Sequence, residues 1–90
     1  MRDVKAAKSF KKDLKRYANQ PARLKELYDI VDKLRRGEEL PKRSRPHMLI
    51  GDYAGHMECH IGNDFLLIWF DKEENLIKLV RLGSHSELFG

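Results

Sequence analysis

Five side chains in this sequence have chemistry to offer as a set: His47, His60, Asp64, Arg81 and His85. Histidine titrates near neutral pH and can give or take a proton. A carboxylate can serve the same purpose or hold an imidazole, and a guanidinium can stand against developing negative charge. Such a set matches the needs of ribose-phosphodiester cleavage. A base takes the proton from the 2′-hydroxyl, an acid protonates the leaving 5′-oxygen, and a cation balances the charge on the phosphorane. Each well-placed proton transfer is worth on the order of 10²–10⁴ in rate. A preorganised donor such as Arg81 contributes about 3 kcal/mol. Each residue also has a plainer reading. His60 fits a surface histidine, or a strand-face metal set with His56 and Glu58, although nothing here has strong ligand spacing. Asp64 fits a turn, Arg81 a half-exposed strand position, and His56 a solvated strand residue.

The elements that must position these groups lie in the second half of the chain. Read with period two, His56, Glu58 and His60 fall on one side of a strand and Met57, Cys59 and Ile61 on the other, giving one open and one buried face. Gly62-Asn63-Asp64 is a turn. The run Phe65 to Phe70 is apolar throughout, as expected of a strand covered on both faces in the middle of a sheet. A polar turn over Asp71 to Asn75 leads to a third strand, Leu76 to Leu82, which Gly83 ends. Ser84 to Gly90 is a short tail, with Leu88 and Phe89 docked on the sheet. His47 lies before this meander, His60 near a strand end and His85 beyond one, so only the fold can gather them.

The first half supplies the frame. Arg2 to Ala7 reads as a charge-protected edge strand with Val4 and Ala6 inward. Ser9 is positioned to cap a helix to about Ala18, with Phe10, Leu14, Tyr17 and Ala18 as its apolar stripe. Pro21 suits a first helical position. The second helix runs to about Arg36 with a stripe of Leu24, Leu27, Tyr28, Val31 and Leu34, widened by Ile30. Gly37 suits its C-terminal cap. The two helices form a hairpin whose apolar faces pack on the sheet. Pro41 and Pro46 exclude a helix from the irregular stretch Glu38 to Gly55. In it, Met48 to Ile50 is placed to touch the core.

Ninety residues make one domain, 1–90, with one core. No apolar run approaches the ~20 residues of a membrane helix, and the N-terminus has no signal-peptide pattern. Cys59 is alone on an apolar face, so no disulfide framework is expected and the cytoplasm is the default location. The net charge of +4 divides unevenly, +8 over residues 1–45 and −4 over 46–90. A basic half of this kind suits a polyanion, nucleic acid above all. Lys42, Arg43 and Arg45 form a solvated run available to phosphates.

Three segments carry a resemblance. His47-Met48-Leu49, the run from Cys59-His60-Ile61-Gly62-Asn63-Asp64 to Phe65-Leu66-Leu67-Ile68-Trp69, and Arg81-Leu82-Gly83-Ser84-His85-Ser86-Glu87-Leu88-Phe89-Gly90 resemble the YafQ-type branch of the RelE/ParE toxin superfamily. The resemblance spans nearly the whole chain. It implies a RelE-like α+β fold: an N-terminal strand and a two-helix hairpin packed on a small, mostly antiparallel sheet that ends in a three-stranded meander. It implies a type II toxin, an endoribonuclease that cuts mRNA in the ribosomal A site without metal or other cofactor.

By that resemblance His47, His60, Asp64, Arg81 and His85 are the catalytic set. His85 would be the general acid, His47 or Asp64 tuned by His60 the base, and Arg81 the phosphate holder. Phe65, Phe89, Lys42, Arg43 and Arg45 would meet substrate, and Lys11, Lys12, Lys15 and Arg16 ribosomal RNA. The implied partners are the ribosome, mRNA and a cognate antitoxin with an acidic, foldable segment, with the toxin a monomer when free and no membrane involved. Two departures stand out. Met48 follows the first histidine where proline is usual. Phe65 follows the turn aspartate where tryptophan is usual, so a base would stack without an indole donor. Competing readings are a ParE-like DNA gyrase poison, which shares the fold but does not need the histidines, and a non-catalytic RNA-binding relative.

Overall fold

The computed structural model of the chain describes residues 1–73 and 75–90, and the side chains of these other than 72 and 73. Its strands are β1 (Asp3–Ala6), β2 (His47–Met48), β3 (Met57–Gly62), β4 (Phe65–Glu73) and β5 (Leu76–Gly83). Its helices are α1 (Lys8–Lys15), α2 (Pro21–Arg36) and α3 (His85–Phe89). The strands form one sheet in the order β1-β5-β4-β3-β2, with β1 parallel to β5 and the other pairs antiparallel. This is the α+β arrangement expected, with β1 at an edge and β4 in the middle.

The apolar run on β4 is buried on both sides. Phe65, Leu67 and Trp69 join Cys59, Ile61, Ile77, Leu79 and Leu82 beneath the two long helices, which contribute Phe10, Tyr17, Leu27, Ile30 and Leu34. Removing a leucine as covered as Leu27, 1% exposed, from water is worth about 1.5–3 kcal/mol. On the opposite face Leu66 and Ile68 form a smaller core under Leu88, with Leu49, Tyr53 and Val80 around it. Cys59 is fully enclosed, and burial, then the Glu58 charge, pushes its thiol up to about 12.

Several local expectations give way to tertiary demands. Ser9 does not cap α1. Ala7 occupies the N-cap, and the Ser9 hydroxyl donates instead to the Val80 carbonyl at 2.6 Å. The reason lies in β5, whose pairing with β1 stops at Ala6↔Leu79. Beyond that point α1 crosses the open edge. Ser9 takes the Val80 carbonyl, and the Asp13 carboxylate, one turn later, accepts from Leu82 N–H at 3.0 Å. Unpaired strand groups are costly when covered, so a helix lying there must supply partners. α1 ends at Lys15 rather than Ala18, and Ala18 is exposed. Pro21 opens α2 as expected, and Gly37 closes it in the left-handed region at φ 71°. Tyr28 is not in the apolar stripe of the core, being 57% exposed.

The stretch Glu38 to Gly55 holds short 3-10 turns at Lys42–Ser44 and Gly51–Tyr53, with β2 between them. Leu49 packs on the smaller core, but Met48 and Ile50 face outward. Strand β4 continues through Glu73, so Asp71 to Glu73 of the turn expected over Asp71 to Asn75 are strand, and residue 74 lies outside the described residues. The tail is helical. Ser84 accepts from Glu87 N–H, and the Glu87 carboxylate accepts from Ser84 N–H, a reciprocal cap that starts α3.

Candidate active site

Directly opposed residues in a sheet project to the same face. Register therefore puts His47, Glu58, Ile68 and Arg81 in one row across β2, β3, β4 and β5. His60, Leu66 and Gly83 form the next row on the same face, and Gly83 is followed by Ser84 and His85. With strands about 4.8 Å apart, His47 and Arg81 stand about 14 Å apart on their backbones, and His60 and Gly83 about 10 Å. The candidate groups are spread along one side of the sheet over the smaller core. The face is opposite the larger core, and at its β5 edge Arg81 reaches α1 through Asp13.

His47 sits on β2, not ahead of the sheet. Its Nδ1 lies 3.0 Å from the Arg45 carbonyl and its Nε2 3.2 Å from Glu58 Oε1. A carbonyl and a carboxylate oxygen can both only accept, so each of these two contacts calls for a ring N–H, and Nε2 is the nitrogen that faces Glu58. Glu58, expected on an open face, is 5% exposed, and its Oε2 has no hydrogen-bond partner among the described residues. His60 is half-buried one row on. Asp64 occupies the β3–β4 turn at φ 50°, and its Oδ1 accepts from the His85 backbone N–H at 2.9 Å. That bond fixes the start of α3 against the turn. The His85 ring, exposed, lies 5.1 Å from the ring of Phe89.

Arg81 is the most tightly held of the set. Its Nε donates to Asp13 Oδ2 at 2.7 Å, its Nη2 to Asp13 Oδ1 at 3.3 Å and its Nη1 to the Tyr53 hydroxyl at 3.2 Å. The fork on Asp13 raises the guanidinium pKa still further, so the charge is permanent. Three of its five N–H donors are used, leaving two for a ligand. Around it, Tyr17 donates to Glu87 Oε1 at 2.5 Å, and Arg16 reaches Glu87 Oε2 at 3.4 Å. Burial, then the bond to Glu87, pushes the Tyr17 hydroxyl from 10 up to about 12. The Ser84 N–H, then the Tyr17 hydroxyl, hold the Glu87 carboxyl below its usual range.

Phe65 does not join this face. It is 1% exposed, lies in the larger core 4.7 Å from the Tyr17 ring, and carries the Arg23 guanidinium 4.9 Å from its centroid. A base cannot stack on it without opening the core. Phe89 is 42% exposed and its ring stands 6.0 Å from Tyr53. Lys42, Arg43 and Arg45 are exposed, as are Lys11, Lys12, Lys15 and Arg16 on and just after α1. Sequence reasoning missed Asp13 and Tyr53. Asp13 stands at the i+3 place of the Phe10 stripe, but among Lys11, Lys12 and Lys15 it reads as one more solvated charge. Nothing local marked Tyr53. Among the described residues, no three His, Cys, Asp or Glu side chains cluster closely enough to hold a metal ion.

A sequence family described as "Bacterial toxin of type II toxin-antitoxin system, YafQ" matches residues 2–90. The chain belongs to the YafQ toxin family. The mRNA interferase toxin YafQ of Escherichia coli K12 is 27% identical over 90 residues, covering 99% of this chain and 97% of that protein. A metal-bound toxin from Helicobacter pylori superposes with TM-score 0.87 at 41% identity, covering 99% of this chain and 100% of that one. The E. coli DinJ–YafQ toxin–antitoxin complex gives TM-score 0.85 at 27% identity, with 99% and 98% covered. Membership in the YafQ family agrees with the α+β fold expected from the sequence. No described helix is long and apolar enough to cross a membrane.

Proposed function

We propose that this chain is an mRNA interferase that cuts messenger RNA on the ribosome and is restrained by a cognate antitoxin. The observation that carries the reading is one sheet face holding a His47–Glu58 pair, His60, a clamped Arg81 and a seated His85. The extended spacing of these groups suits a strand of RNA laid across the face rather than a small molecule in a cavity. Family membership and the activity named for the E. coli relative support it.

In the proposed reaction His47 enters neutral with its Nε2 turned from Glu58 toward the 2′-hydroxyl, takes that proton, and presents the new N–H to the Glu58 carboxylate, which balances the charge the ring acquires. The freed 2′-oxygen bonds to phosphorus. The bond from phosphorus to the 5′-oxygen breaks, and His85 gives that oxygen its proton. The products are a 2′,3′-cyclic phosphate and a 5′-hydroxyl. The two free N–H groups of Arg81 meet the charge on the phosphorane, and no step calls on a metal. Asp64 acts by holding the backbone of His85, and His60 lines the path between the two imidazoles. Lys11, Lys12, Lys15 and the Lys42–Arg45 run bind ribosomal RNA and message phosphates. Cytoplasmic location follows from a ribosomal target.

Mapping mRNA 5′ ends in a bacterial translation extract tests the reading. New ends within codons, absent when ribosomes are removed, are expected. Intact message together with blocked supercoiling by DNA gyrase would overturn the proposal in favour of a gyrase poison.

A further inference from the structure

Five rings follow one another along the open face. Phe70 and His56 have centroids 4.9 Å apart, His56 and Tyr53 5.8 Å, Tyr53 and Phe89 6.0 Å, and Phe89 and His85 5.1 Å. The chain of contacts runs from β4, through the loop after β2, to α3. Three of its members, Phe70, His56 and Tyr53, lie outside the proposed proton-transfer set. None of the three is fully buried.

The backbone is arranged to hold them there. His56 N–H donates to the Tyr53 carbonyl at 2.9 Å, and Leu49 N–H to the His56 carbonyl at 2.8 Å, which fixes the loop. Gly55, at φ 85°, lies beside Phe70, where a Cβ would make ordinary van der Waals contact with the ring at 3.8 Å. The positive φ lets the loop turn there and bring His56 over Phe70. The strip is tied to the anion-binding cation as well, because the Tyr53 hydroxyl accepts from Arg81 Nη1 at 3.2 Å. Aromatic rings beside a fixed guanidinium are what a single-stranded nucleic acid needs: faces for its bases and a positive point for its phosphate.

We propose that Phe70, His56 and Tyr53 extend the site as a stacking strip for bases of single-stranded RNA flanking the scissile phosphate at Arg81. The inference rests on RNA as substrate but not on cleavage. Stacking is sequence-tolerant, since every base has a π-face, so the strip supplies affinity and alignment rather than codon choice.

The test uses a hexanucleotide with 2′-O-methyl riboses, which blocks attack, and 2-aminopurine as the reporting base. Its fluorescence should be quenched on binding to the wild-type protein. His56→Ala and Phe70→Leu should each weaken binding about tenfold, the scale of one lost base contact. His56→Phe, which keeps a flat ring but no titrating nitrogen, should restore it. An abasic hexanucleotide of equal charge should bind wild type and variants alike. Because Phe70 supports the fold, the His56 pair decides the matter if Phe70→Leu melts early. Equal binding and quenching by wild type and His56→Ala, or a wild type that does not prefer bases over abasic sites, would overturn the strip. A protein that stacks the oligonucleotide yet leaves mRNA whole would refute cleavage and leave the strip standing.

Discussion

At the scale of single residues, Arg81 and Asp13 are the informative pair. Asp13 is 3% exposed and has two demands on it, the Arg81 fork and the Leu82 N–H. Stranding a buried carboxylate costs about 3–5 kcal/mol, so Arg81→Ala would damage fold and site together. Arg81→Lys separates the two. It keeps a positive charge against Asp13 but loses the planar fork that presents the free donors. We expect cleavage to fall by about 10²–10³ with little change in melting temperature or ribosome affinity. A parallel loss of ribosome affinity would make Arg81 a docking residue instead. Arg81 was readable as a chemical group in the sequence, but its partner was not. An aspartate among Lys11, Lys12 and Lys15 looks like a solvated charge until the end of β1 shows which backbone groups it must satisfy. Glu58 misled in the opposite way. Alternation put it correctly on the face of His60, but there Glu58 is buried with the His47 ring against its carboxylate.

At the scale of elements, patterns spanning many residues were legible and short ones were not. The unbroken run Phe65 to Phe70 marked the central strand, and Pro21 and Gly37 marked both ends of α2. β2 has two residues, too few for any period, and exists because β3 offers it a partner. α3 carried a readable Ser84-x-x-Glu87 cap, yet five residues make a helix only when Leu88 has a core to enter. Its attachment is pH-dependent. The Glu87 carboxyl titrates lower in the folded protein than in the unfolded chain, so its contribution is present above the ordinary carboxylate range and is lost as pH falls through the folded value. Thermal melting across acidic pH should therefore fall more steeply for wild type than for Glu87→Gln, and the variant should melt earlier at neutral pH. Parallel curves would show that Glu87 does not anchor α3.

At the scale of the whole molecule, the fold separates two tasks. The helix hairpin and the Lys42–Arg45 run concentrate the positive charge of residues 1–45. The far side of the sheet holds the imidazoles, the clamped guanidinium and the exposed rings. In the proposed function the charge would give sequence-independent affinity for RNA with a strong salt dependence, while the strands would hold the reacting groups. The sequence already separated the positive charge of residues 1–45 from the candidate groups of residues 46–90. It could not foretell that His47 and Arg81 would stand about 14 Å apart on their backbones, with His60 in the next row of the same face, because spacing along a chain does not fix spacing between strands. The measurement that bears most directly on the account is the rate of mRNA cleavage in a translation extract by wild type and by His85→Ala, each checked for its melting temperature. The folded variant should bind ribosomes and leave the message uncut. Cleavage by that variant at close to the wild-type rate would contradict the assignment of this face as the site of RNA cleavage.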